Sequence, residues 1–165
     1  MNLLKNKNIL IVGVANKHSI AAGIAQSMSE NGANIALTYQ NERLKSNVEK
    51  IGQELEIKTF LPCDVSSDIE IKETFKNLVK EWDGLDGVIH AVGFAPREEL
   101  DGEFVDVTSR QGFQIAHDIS SYSFIGLAKE AKNMMKGRNG SLLTLSYLGS
   151  QMTLPNYNVM GLAKA

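Results

Sequence analysis

A single cysteine, Cys63, stands in the 165 residues, so no intramolecular disulfide framework is available and the chain suits a reducing compartment. Blocks of like charge are missing too. The net charge is −2 and the sequence pI about 5.9. That balance lacks the electrostatic footprint of a nucleic-acid binder and gives no reason to expect a membrane surface. The apolar run Ile9 to Val14 is far short of the ~20 residues needed to span a bilayer. Residues 1–7 have neither the apolar run nor the cleavage site of a signal peptide, which leaves the cytoplasm as the default. No low-complexity stretch occurs, and no His, Cys and carboxylate cluster has metal-ligand spacing. What remains is an ordinary globular composition, 43% apolar and 22% charged, long enough for one domain with a real core.

Strand and helix patterns alternate throughout. The almost continuous apolar run Asn8 to Gly13 suits a strand buried on both faces of a parallel sheet. A helix is expected over about 19–31, with Ile20, Ile24 and Met28 as its apolar stripe and Gly32 as its C-terminal glycine. Strands follow at 34–39, 57–62, 85–92 and 141–147. Helices are expected at 41–55, at 68–82 with Asp68 as N-cap, at 106–115 and at 120–135. A last helix opens at Asn156 after Pro155. This rhythm implies an α/β doubly wound Rossmann fold with a parallel sheet and right-handed crossovers, one dinucleotide-binding domain over 1–165. A final helix stopping at Ala165 would leave its apolar face uncovered. The expectation is therefore a piece of a longer protein, lacking its last strands and a C-terminal substrate-covering part.

The loop Gly13 to Gly23 joins the first strand to the first helix, where a dinucleotide pyrophosphate sits in such sheets. Gly13 lets backbone approach a ligand, and Gly23 would let helix and strand pack closely. Because the spacing is not G-x-G-x-x-G, an ordinary βα turn is the competing reading. Gln40, ending the second strand, can hydrogen-bond a ribose hydroxyl, and no Arg or Lys occupies 40 or 41 to neutralise a 2′-phosphate. That favours NADH over NADPH, with Arg43 the one long cation nearby. Asp64, beside Val65 after the third strand, is either a turn cap or a partner of the adenine amino group.

Tyr147, Tyr157 and Lys164 form the strongest constellation. On one helix, Tyr157 and Lys164 would share a face roughly 10 Å apart along the axis. Side chains tilt toward the helix N-terminus, so the lysine would lean back toward the tyrosine and favour charge on the phenol oxygen. Tyr147 would close the fifth strand at its carboxyl edge. Two partly buried tyrosines and a surface lysine are the plainer alternative.

Four segments resemble the enoyl-[acyl-carrier-protein] reductases of the short-chain dehydrogenase superfamily. They are Gly13-x5-Ser19-Ile20-Ala21-x-Gly23, the run His90 to Ala95, the run Ala116 to Ser123, and Tyr157-x6-Lys164. The resemblance covers essentially the whole chain. It implies an NADH-dependent oxidoreductase of bacterial fatty-acid synthesis that reduces trans-2-enoyl thioesters held on acyl carrier protein. By the same resemblance Gly13, Ser19 and Ile20 line the pyrophosphate and nicotinamide side of the cofactor. Gln40 meets the adenosine ribose, and Asp64 with Val65 the adenine. Val92 and Gly93 border the cofactor, and Lys164 binds the nicotinamide ribose. Ala95 touches the acyl substrate through its backbone. Tyr157 donates to the thioester carbonyl, with Tyr147 assisting. Residues about 106–135 resemble a subunit-contact surface, which implies a homotetramer.

Two other functions compete. A 3-ketoacyl-thioester reductase, or another short-chain dehydrogenase, would carry Y-x3-K and a serine about a dozen residues before the tyrosine. Position 161 is Gly161, and Ser146 and Ser150 lie eleven and seven residues before Tyr157. A non-catalytic NAD-binding module would have no need of Tyr157. His90 reads as a packed core histidine, His18 as a solvated loop residue, Cys63 as a small buried hydrophobe, and Met134 with Met135 as core. His117 and Asp118 are adjacent on a helix and do not share a face.

Overall fold

A computed structural model describes residues 2–165. They form two compact units, one of residues 2–91 with Gly126–Leu143 and one of Val92–Ile125 with Thr144–Ala165.

The first unit is built on a sheet of order β3-β2-β1-β4-β5, with β1 Asn8–Val12, β2 Asn34–Tyr39, β3 Thr59–Pro62, β4 Gly87–His90 and β5 Ser141–Thr144. β1 pairs parallel with β2 (Leu10 opposite Ala36) and with β4 (Leu10 opposite Val88), and β2 pairs parallel with β3. Every residue of β1 is buried, as its unbroken apolar run requires of a central strand. Alternate side chains point to opposite faces. Ile9 and Ile11 join Leu37, Val48 and Ile57 in one core cluster with α1 (Ile20–Glu30) and α2 (Glu42–Glu54). α3 (Asp68–Glu81) buries Ile71, Phe75 and Leu78, and α6 (Ser123–Met134) buries Leu127 and Ala131. Each of the larger side chains, such as Leu78 or Phe75, contributes roughly 1.5–3 kcal/mol.

Three local expectations are corrected. The expected stripe of α1 holds only in part. Ile20 is 69% exposed, while Ile24 and Met28 pack partly buried against the core beside Ala21, Ala22 and Ala25, which are small enough for close packing. Gly23 therefore has no packing role, and a Cβ there would meet nothing within 4 Å. The N-cap of α3 is Ser67, whose side chain accepts from the Glu70 amide, while Asp68 is the first helical residue. Gly32 does end α1 in the left-handed region, at φ 86°.

At the amino ends of β1 and β4, Asp86 accepts from the Asn8 amide, the Lys7 ammonium and the Arg138 guanidinium at 3.0, 3.1 and 2.9 Å. Burial pushes its pKa up, but these bonds and the two cations outweigh burial and hold it below the usual range. Asp86→Ala is expected to cost about 2–3 kcal/mol, because it leaves the buried Asn8 amide unpaired and removes the carboxylate shared by Lys7 and Arg138. The folded pKa is depressed, so this stability is present above the ordinary carboxylate pKa and disappears as pH falls through the folded value. Urea melts at pH 7 and at pH 3 check this, and an unchanged wild-type-to-variant difference at the two pH values would contradict it.

The second unit holds a 3-10 turn (Arg97–Glu99), α4 (Phe104–Val107), α5 (Arg110–His117), a π turn (Asp118–Tyr122), a 3-10 turn (Leu148–Ser150) and α7 (Asn158–Lys164). The single helix expected at 106–115 is thus two short ones, divided at Ser109, which caps α5 by accepting from Gly112. Ala116, Val159, Met160 and Ala163 form this unit's core. No helix among the described residues is long and apolar enough to cross a membrane.

Candidate active site

In the first unit the loop after β1 turns on Gly13, whose φ of 106° favours glycine. Ser19 caps α1. Its hydroxyl donates to the Asn16 carbonyl at 2.7 Å and accepts from the Ala22 amide at 3.2 Å. Asn16 Oδ1 in turn accepts from the His18 amide. The loop is ordered by its own side chains, and the first turn of α1 carries no acidic residue. The positive end of this 11-residue helix is therefore not neutralised from within, which fits an anionic pyrophosphate.

Gln40 and Asp64, at the carboxyl ends of β2 and β3, meet directly, with Gln40 Nε2 donating to Asp64 Oδ2 at 3.2 Å. Asp64 Oδ1 also accepts from the Ser66 amide and hydroxyl, at 3.0 and 2.7 Å. Burial raises the Asp64 pKa, but the hydrogen bonds from Ser66 and Gln40 overcome it and hold the carboxyl below its ordinary value. Asp64 is thus a turn cap whose second oxygen faces Gln40. Val65 beside it is buried, and Ile20 lies exposed at the start of α1.

In the second unit Lys164 is half-buried. Its ammonium donates to the carbonyls of Val92 at 2.6 Å and Ser120 at 3.3 Å. An ammonium has three donors, so one remains for a further acceptor. Burial lowers the Lys164 pKa. Gly93 lies against the lysine stem, since a Cβ there would sit 3.3 Å from Lys164 Cε. Ala95 packs on the core of Val159 and Met160.

The tyrosines differ from the sequence expectation. α7 begins at Asn158, so Tyr157 is the residue before the helix and not a member of it. Left-handed conformations at Asn156 and Asn158, φ 60° and 34°, break the helical pattern there. Tyr147 lies beyond the end of β5, at the start of the 3-10 turn. The two rings meet edge to face, centroids 5.0 Å apart. Among the described residues no hydrogen bond joins Lys164 to Tyr157, because the Val92 and Ser120 carbonyls hold the ammonium. Accordingly the Tyr157 pKa is raised, first by burial and then by Tyr147, which keeps the phenol a protonated donor. Beside Tyr157 runs an open groove of about 310 Å³, lined by Phe104, Met152, Leu154 and Leu162.

Sequence reasoning passed over two residues. Ser120, in the π turn, has a buried hydroxyl that accepts from the Phe94 amide at 2.9 Å and lies 3.0 Å from the Phe94 carbonyl. Asn158 bridges two carbonyls of the 99–102 loop. The available signal was the pair of asparagines around Tyr157, the residue type that most tolerates positive φ after glycine. Other candidates stay outside the chemistry. His90 is fully buried in β4, and His117 stacks on Phe113 with centroids 3.9 Å apart. Burial raises the Cys63 thiol to about 11, so it is un-ionised at neutral pH. No group of metal-ligating side chains occurs among the described residues.

Comparison with known proteins gives a consistent result. The family model described as "Enoyl-(Acyl carrier protein) reductase" matches residues 13–165. The whole chain is 52% identical to the NADH enoyl-[acyl-carrier-protein] reductase of Escherichia coli K12 and 50% identical to that of Neisseria meningitidis serogroup B. It spans 63% of the length of each. A crystal structure of the Aquifex aeolicus NADH enoyl reductase superposes with a TM-score of 0.96 at 47% identity, over 98% of this chain and 64% of that one. The Anaplasma phagocytophilum enoyl reductase, crystallised in complex with NAD, gives 0.95 at 44% identity, over 98% and 61%.

Proposed function

The chain belongs to the enoyl-(acyl carrier protein) reductase family, and on that premise we propose that the protein it comes from reduces trans-2-enoyl thioesters of acyl carrier protein with NADH during fatty-acid synthesis. The observation that carries the reading is a neutral, partly buried phenol, Tyr157, followed seven residues later by an ammonium whose third donor remains for a ribose. A ketoreductase would need a lysine where Gly161 stands.

Gly13, Ser19 and Ile20 receive the pyrophosphate side at the positive end of α1, Gln40 the adenosine ribose, and Asp64 with Val65 the adenine. Lys164 holds the nicotinamide ribose, with Val92 and Gly93 beside it. A bound dihydronicotinamide supplies hydride to the β-carbon of the enoyl thioester. Negative charge then develops on the thioester oxygen, Tyr157 donates a hydrogen bond to it, and uptake of a proton at the α-carbon completes the saturation. Tyr147 limits the freedom of that ring, and the backbone of Ala95 and the groove beside Tyr157 receive the acyl chain. The neutral Gln40 supports NADH over NADPH.

Acyl carrier protein is the proposed partner and the cytoplasm the proposed compartment. A homotetramer is supported by the exposed Phe113, Tyr122 and Ile125 on α5, the π turn and α6. The deciding assay is loss of NADH absorbance with a trans-2-enoyl thioester, using the longest chain the reading frame encodes. Turnover with the enoyl but not a 3-ketoacyl thioester is expected. Tight NADH binding with neither substrate reduced would leave a binding module instead.

A further inference from the structure

Among the described residues only four other than glycine have positive φ, and two of them, Asn156 and Asn158, bracket Tyr157. Such conformations cost on the order of 1 kcal/mol each and persist where the surroundings impose them. For Asn158 the imposing contacts are visible. Its Nδ2 donates to the carbonyls of Glu99 and Gly102, each at 3.1 Å, which uses both amide hydrogens. The Glu99 acceptor is itself held in place. The Glu99 side chain is buried in a residue only 3% exposed, and its carboxylate accepts from the Ser109 amide at 2.9 Å and the Ser109 hydroxyl at 2.6 Å. The Ser109 hydroxyl also caps α5 through Gly112. An unbroken line of polar contacts therefore runs from the N-terminus of α5 to the residue after Tyr157.

The ring of Tyr157 is held on its other sides. A Cβ at Gly149 would lie 2.2 Å from Tyr157 Cδ1, so the ring rests on a glycine that leaves it room. Tyr147 meets it edge to face. An ordinary helix opening at Asn156 would aim the Tyr157 side chain along the helix rows. The left-handed entry aims it instead across Gly149.

We propose that Asn158 is a positioning residue for Tyr157: its amide, bridging the Glu99 and Gly102 carbonyls, holds the left-handed turn that directs the phenol. The role rests on the reading of Tyr157 as the donor to the substrate carbonyl, but the geometry it controls exists without turnover and can be measured without it.

The test uses the longest encoded chain and the variants Asn158→Gly and Asn158→Asp, each with and without Tyr157→Phe. Glycine accepts the left-handed conformation but has no amide. Aspartate keeps the size and tolerates the conformation but cannot donate. Both are expected to lower kcat about 10-fold while KM for NADH stays within about twofold. With Tyr157→Phe already present, either should lower kcat by less than about twofold further, because the group it acts through is gone. A second readout is alkaline absorbance titration of the phenols, with Tyr157 isolated as the difference from Tyr157→Phe. Asn158→Gly should return the Tyr157 titration toward the ordinary tyrosine value. Equal fold-losses with and without the Tyr157 hydroxyl, or an unmoved titration, would overturn the proposal. If the unsubstituted protein reduces no enoyl thioester, the functional reading fails by itself and the titration alone decides the role of Asn158.

Discussion

Tyr157→Phe, made in the longest encoded chain, is expected to lower kcat for enoyl-thioester reduction about 100-fold, with KM for NADH within about twofold of wild type. The substitution removes one oxygen and little else. Phenylalanine still fits over Gly149 and still meets Tyr147 at its edge, so the fold of the second unit should be kept. On the proposed reading, what disappears is a donor to an oxygen that becomes negative only as hydride arrives, an interaction stronger in the transition state than in the ground state. Such a loss appears in kcat. A rise in the thioester KM with kcat unchanged would instead mean that the phenol merely binds substrate.

The same substitution has a pH signature. Burial, then the neighbouring Tyr147, raises the Tyr157 pKa above the ordinary tyrosine value of 10.0. The donor is therefore protonated across the neutral range, and wild-type kcat should fall only at alkaline pH, along a limb missing from Tyr157→Phe. The linkage to stability has a definite sign. A folded-state pKa above the unfolded value gives a contribution fully present below pH 10.0 and lost as pH rises through the folded pKa. Wild type should thus lose stability relative to Tyr157→Phe as pH rises through the folded pKa.

Much of the first unit was legible because each strand is a compact apolar run bounded by small or polar residues. Asn34–Tyr39 falls where expected, and β1 differs by one residue. Legibility failed where a single contact decided the outcome. The sequence pattern could not say that Ala21, Ala22 and Ala25 would face the sheet while Ile20 pointed to solvent, because both sets recur at helical spacing. Ser67 and Asp68 are both good caps, and only the hydrogen bond to Glu70 chooses between them. Near Tyr157 the helical pattern over 156–165 was real, yet contacts with Glu99 and Gly102, more than fifty residues away in sequence, delay the helix until Asn158. Tertiary hydrogen bonds overrode a local preference there. The bonds from Lys164 to Val92 and Ser120 were hidden for the same reason, since long-range partners leave no periodic trace.

That lysine carries the second large effect. Lys164→Ala should weaken NADH binding about 100-fold, and should also destabilise the protein by about 2 kcal/mol, the cost of removing a charged hydrogen-bond donor from two carbonyls. Lys164→Arg separates charge from geometry. Guanidinium is planar and its donors lie in a fixed fork, whereas an ammonium can direct two hydrogens to Val92 and Ser120 and a third elsewhere. Arginine should therefore keep much of the stability and still lose at least about 10-fold in NADH affinity, measured by fluorescence titration. Binding by Lys164→Arg equal to wild type would show that charge alone suffices and that the directed third hydrogen is irrelevant. Burial, which lowers the Lys164 pKa, supplies an independent check. Between the folded value and the ordinary 10.5 the unfolded chain binds more protons at this site, so its contribution to stability rises with pH across that window. Lys164→Met, which keeps an apolar stem and has no proton to lose, should lack the rise. The alkaline slopes of Tyr157 and Lys164 are opposite in sign, so melts of the two variants against wild type assign each slope to its residue.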